Sequence, residues 1–126
     1  MNVGDIFVWV TNQAIGYEAR KKYHVYLCDA GWRAEGHAFL FISKADYGGD
    51  YAIRKADYGF LSLEISFVSC NSIVCYSEAD LLAARPQKVG QLSKAHLAEL
   101  VRVISDSDIM EQWQINLACN ALRTDI

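Results

Sequence analysis

Ile6-Phe7-Val8-Trp9-Val10 and Tyr23-His24-Val25-Tyr26-Leu27-Cys28 are two apolar runs joined by Thr11-Asn12-Gln13-Ala14-Ile15-Gly16-Tyr17-Glu18-Ala19-Arg20-Lys21-Lys22, and reading these runs as strands decides the fold. Both are rich in β-branched and aromatic residues, which suit a pleated, half-buried surface. The joining segment is too long for a tight hairpin turn, so it reads as a loop. It carries a glycine, an aromatic and a carboxylate, and it ends in the cations Arg20, Lys21 and Lys22. Loops held on a rigid scaffold commonly carry binding and catalytic groups. The formal net charge is -3, so a compact cation cluster needs a local explanation. An anion that meets these side chains supplies one.

The strand pattern continues outward from this pair. Strands are expected at about 5–11, 22–28, 36–43, 50–54, 60–69 and 72–77, separated by Gly, Asn, Asp and Ser. Phe39-Leu40-Phe41-Ile42 is apolar on both faces and predicts a central strand, whereas Leu61-Ser62-Leu63-Glu64-Ile65-Ser66-Phe67 alternates and predicts one wet face. Asn71-Ser72 is placed to turn the last two strands into a hairpin. Lys44-Ala45-Asp46-Tyr47-Gly48 recurs as Lys55-Ala56-Asp57-Tyr58-Gly59. Two similar turns flanking a short strand explain the recurrence; a Tyr- and Lys-bearing loop over a site is the functional alternative. Beyond Pro86 the period becomes helical. Ser93 reads as an N-cap, and Leu97, Leu100, Val101 and Ile104 share a face. Ser105-Asp106-Ser107-Asp108 interrupts before a second helix carrying Ile109, Trp113, Leu117 and Ala121. The expected fold is mainly β, a small curled antiparallel sheet or barrel with two C-terminal helices. It forms one domain over 1–126, with a β portion over 1–85 and helices over 92–124 packed on it.

The composition fits such a domain. The chain has 126 residues, 52% of them apolar and 21% charged, which is globular and not disordered. No apolar run approaches the ~20 residues of a membrane span, and the first residues lack signal-peptide features, so a cytoplasmic protein with no membrane association is expected. Cys28, Cys70, Cys75 and Cys119 are dispersed without zinc-ligand spacing and read as buried free thiols, with no metal and no cofactor. Mild acidity argues against a general nucleic-acid coat protein but leaves room for a local phosphate-binding groove.

The order of the short motifs resembles that of the MazF/PemK-like toxins of type II toxin–antitoxin systems. The residues that carry the resemblance are Gly4-Asp5-Ile6 opening the first strand and the loop Gly16-Tyr17-Glu18-Ala19-Arg20-Lys21-Lys22. Val25-Tyr26-Leu27-Cys28, a strand closing on Ile42-Ser43, and Val89-Gly90-Gln91-Leu92-Ser93 entering a helix follow. The resemblance implies an SH3-like barrel, a homodimer, metal-independent cleavage of single-stranded RNA and an antitoxin protein partner. It carries the catalytic roles onto Arg20 and Ser43. Arg20 suits the chemistry independently, because a guanidinium is always charged and grips two phosphate oxygens at once. Tyr17, Glu18, Lys21, Lys22 and His24 are the expected RNA-binding residues, with Glu18, Lys22 and His24 the titratable groups near enough for proton transfer.

Three features depart from the family pattern: Tyr23 instead of Pro after Lys22, a longer segment 44–60, and a C-terminal extension. Two other functions therefore stand beside the first, a non-catalytic barrel that binds a partner protein and a nucleic-acid-binding module without cleavage. His37 opens the third strand, and His96 is expected on the wet side of the first helix. Trp9 is expected in the core, while Tyr17, Trp32, Tyr47 and Tyr58 are candidates for base stacking.

Overall fold

A computed structural model describes residues 1–11, 20–31 and 36–126, with Arg20 described as backbone. Its frame is an antiparallel sheet built on β1 (Asp5–Thr11), β2 (Arg20–Asp29) and β3 (His37–Ser43). β4 (Tyr51–Arg54) and β5 (Ile65–Val68) extend it beyond β3, and β6 (Val74–Tyr76) also pairs with β3. A short helix, α1 (Glu78–Ala84), leads into β7 (Gln87–Gln91), which pairs with β1 at the other edge. Two helices, α2 (Lys94–Ser105) and α3 (Gln112–Arg123), close the chain. The expected class, mainly β with a curled antiparallel sheet and two C-terminal helices, is the observed one.

Strand alternation sends side chains to two different cores. Ile6, Val25, Leu27, Leu40 and Ile42 pack with Leu97, Leu100 and Ile104 of α2 and Ile115, Ala118 and Leu122 of α3. Burial of each large aliphatic side chain here contributes about 1.5–3 kcal/mol. On the opposite face Phe7, Trp9, Tyr26, Phe39 and Tyr76 form an aromatic layer that Leu81 of α1 covers. The doubly apolar β3 is therefore central, flanked by β2 on one side and by β5 and β6 on the other.

Several expectations need correction. The cations at 20–22 belong to β2 and not to a loop, because Lys21 and Lys22 pair with Val10 and Trp9 and extend the β1–β2 ladder. β5 and β6 do not form a hairpin; each pairs with a different end of β3, so Asn71-Ser72 links strands placed end to end. The strand expected over 60–69 is only Ile65–Val68, since Tyr58 and Leu61 join in a turn in which the Leu61 amide donates to the Tyr58 carbonyl at 3.1 Å. α1 and β7 had no expected counterpart. α1 starts at the N-cap Ser77, whose hydroxyl accepts from the Asp80 amide, and one buried residue, Leu81, anchors it. β7 is a mostly polar edge strand with a register shift opposite Ile6 and Phe7, so it lacks the apolar alternation that marks a strand in sequence. It carries the sheet to Gln91, past the expected boundary at 85.

α2 follows expectation, with Ser93 accepting from the His96 amide as N-cap. α3 starts at Gln112, later than expected. Ile109 is exposed, and the Ser107 hydroxyl accepts from the amides of Ile109 and Met110 in the connecting turn. None of the four cysteines is in a disulfide; Cys70 and Cys119 are buried and Cys28 and Cys75 half-buried. Burial raises the Cys70 thiol pKa to about 12. No helix among the described residues is long and apolar enough to cross a membrane.

Candidate nucleic-acid interface at the end of β3

Antiparallel pairing brings the beginning of β2 alongside the end of β3, with Tyr23 opposite Ile42. β5 pairs with the other side of the same end and sets Phe67 opposite Ser43. A cleft of about 290 Å³ opens where these three strands meet. Lys21, Lys22 and Lys44 supply its positive charge, and Ser43, Ser62 and Ser66 supply hydroxyls. Tyr23 and Tyr47 complete its polar lining, and none of the described lining residues is a carboxylate. Three ammonium groups beside neutral donors suit a polyanion whose oxygens accept hydrogen bonds.

Lys22 and Ser43 are in direct contact. The Lys22 ammonium donates to Ser43 Oγ at 3.4 Å and lies 5.5 Å from the centre of the Phe41 ring. Ser43 is largely buried, so its hydroxyl faces the cleft from a fixed strand position. Of the basic segment, Lys22 touches Ser43, and Lys21 lines the same cleft. Tyr17, Glu18, Trp32 and the Arg20 side chain lie outside the described residues; Arg20 itself opens β2 opposite Thr11.

His24 occupies a different environment from the one expected. Its side chain is 0% exposed, so it presents no surface to RNA. The ring stacks on Trp9 with centroids 3.6 Å apart and planes 6° apart. Its hydrogen bonds fix its tautomer. The Lys22 carbonyl, 3.0 Å from Nδ1, can only accept, so Nδ1 carries the proton. Burial lowers the His24 pKa to about 3, and the carbonyl bond opposes that shift only in part. Nε2 of the neutral ring therefore accepts from the Tyr76 hydroxyl at 3.0 Å. The Tyr76 oxygen in turn accepts from Thr11 Oγ1 at 2.9 Å. A directional chain, Thr11 to Tyr76 to His24 to the Lys22 carbonyl, holds the backbone from which Lys22 projects.

Two further histidines have partners that their sequence positions did not suggest. His37, at the far end of β3, accepts or donates at Nδ1 with the Tyr26 hydroxyl at 2.9 Å and bonds Glu78 of α1 through Nε2. That contact ties α1 to the sheet. His96, expected to face solvent, is half-buried and bonds the hydroxyl of buried Tyr58. The same hydroxyl accepts from the Ser93 amide at 3.0 Å, which joins the second repeat of the pentapeptide to the start of α2. The partners of both histidines are distant in sequence, so local periodicity carried no signal for them.

Among the described residues, no three His, Cys, Asp or Glu side chains come together to hold a metal ion. No protein-family model matches the chain, and no match is found among curated proteins.

Proposed function

We propose that the chain is a metal-independent endoribonuclease of the MazF/PemK-like toxin kind, binding single-stranded RNA in the basic cleft. The observation that carries this reading is the meeting of Lys21, Lys22 and Lys44 with Ser43 at one strand end. In the proposed reaction the 2′-oxygen of the substrate attacks the adjacent phosphorus. The new 2′-O–P bond forms as the P–O5′ bond breaks, leaving a 2′,3′-cyclic phosphate and a 5′-hydroxyl. The attacking hydroxyl loses its proton to a base, and the departing oxygen gains one. Arg20 and Ser43 are assigned to the phosphate oxygens, where charge builds in the transition state. His24 is withdrawn from proton transfer because it is buried and neutral. Glu18 and Lys22 remain for that role. The toxin reading brings with it a homodimer, a cytoplasmic location and an antitoxin whose acidic segment competes with RNA for the lysines.

One observation favours a second reading, binding of nucleic acid without cleavage. No carboxylate or imidazole is among the described residues that line the cleft. RNA cleavage by the purified protein in EDTA separates the two. The expected result is cleavage that Arg20→Ala lowers by about 10²-fold or more, the scale of losing one group that stabilises the charged transition state. Retained RNA binding with no cleavage by wild type supports the second reading, and equal cleavage by wild type and Arg20→Ala overturns the role of Arg20.

A further inference from the structure

The two copies of the pentapeptide put their tyrosines in opposite environments. Tyr58 is buried and bonded to His96 and to the Ser93 amide, so its role is packing. Tyr47 is 61% exposed, and it stands at the cleft beside Lys44 and Ser43. Such exposure of an aromatic ring forgoes the stabilisation that burial would give.

The loop that presents Tyr47 is nonetheless braced. Asp46 Oδ1 accepts from the Gly48 amide at 2.9 Å and from the Asp50 amide at 3.1 Å. Asp50 uses both oxygens, accepting from the Tyr47 amide at 3.0 Å and from the Cys70 amide at 2.9 Å. Asn71 donates to the Gly48 carbonyl at 2.9 Å. The backbone under Tyr47 is therefore fixed to the β5–β6 connection while its ring is left exposed.

From this geometry we infer that Tyr47 is a stacking platform for an unpaired nucleobase whose neighbouring phosphate is held by Lys22, Lys44 and Ser43. The inference rests on the cleft being an RNA site, and it names the base-binding element of that site. A ring of this kind grips the flat face of a base without reading its edge, so it adds affinity with little sequence preference. The lysines contribute the salt-dependent part of binding and Tyr47 a salt-independent part.

The test is binding of short single-stranded RNA to the full chain, compared with the same RNA carrying one abasic position placed in turn along the strand. Wild type is expected to bind the intact strand and to lose about 5- to 150-fold in affinity when the abasic position falls at Tyr47. Tyr47→Ala is expected to lose a similar factor with intact RNA, to show no further loss with that abasic strand, and to keep the wild-type salt slope. Tyr47→Phe retains binding, because stacking needs the ring and not the hydroxyl. Tyr47→Trp gives a further signature, quenching of fluorescence on RNA addition that exceeds the quenching of the three native tryptophans in wild type. If wild type binds RNA and Tyr47→Ala binds equally well, the stacking role is overturned while the cleft remains an RNA site. If wild type binds no RNA, the functional reading itself falls, and the stacking role with it.

Discussion

His24 is the residue whose chemistry is most tightly determined, since burial favours the neutral form strongly enough to outweigh the carbonyl hydrogen bond that favours the charged one. Its folded pKa of about 3 lies below the ordinary value of 6.5. Between those values the unfolded chain takes up a proton that the folded chain refuses. Stability contributed by neutral His24 is therefore fully present above about pH 6.5 and declines as the pH falls toward 3. The slope from this one group reaches about 1.4 kcal/mol per pH unit. Urea unfolding at a series of pH values checks this, with nitrogen-15 NMR expected to show the proton on Nδ1 throughout the folded range. A flat stability profile from pH 7 to 4 would contradict it. The sequence showed a histidine alternating within a strand, which fits both a wet and a dry face. What put it on the dry face was Trp9 and Tyr76, and Tyr76 lies far along the chain. Lys21, Lys22 and Ser43 were legible as a group because strand ends on an antiparallel ladder meet predictably. Lys44 was legible only as the alternative reading of the repeat, and Ser62 and Ser66 were not legible, since that segment and β5 come to this end by tertiary packing.

At the scale of elements, the long and strongly patterned ones were readable and the short ones were not. β1, β2, β3 and α2 announce themselves by apolar pattern or by a cap. α1 and β7 owe their existence to neighbours, α1 to the aromatic layer and β7 to the open edge of β1. At the junction between β3 and β6 the scaffold has no room for a side chain on Gly36. Gly36 has φ of 89°, and a Cβ there would lie 1.9 Å from the Tyr76 carbonyl oxygen. Relief requires the backbone of β6 to move, because no flexible side-chain end is available to yield. Gly36→Ala is expected to destabilise the fold by at least about 3 kcal/mol. Ser93→Ala, which removes only the N-cap of α2, is expected to cost about 1 kcal/mol. Chemical denaturation of the two variants side by side gives the comparison, and a Gly36→Ala protein as stable as Ser93→Ala would show that β6 shifts freely.

The whole molecule is an acidic chain that concentrates positive charge at one end of its sheet, so its overall charge of -3 conceals a local field of opposite sign. The curl of the sheet gathers β2, β3 and β5 at that end, and the fold class followed from strand spacing even though two of its elements did not. β3 joins the two ends of this arrangement. It bonds β2 along one side and β5 and β6 along the other, carrying Ser43 at its last position and His37 at its first. Amide hydrogens enclosed on both sides by ladders exchange with solvent only when the surrounding structure opens. In native-state exchange with deuterium, the β3 amides are expected among the slowest in the protein, and those of α1 among the faster ones. Fast exchange across β3 would contradict the central place given to it. The consequence for Ser43 is kinetic. Ile42 is the last β3 residue paired on both sides, so Ser43 sits one residue past the slow-exchanging centre. It is tied to that centre through the chain and to Phe67 across the ladder, and its hydroxyl keeps its place only while β5 stays paired.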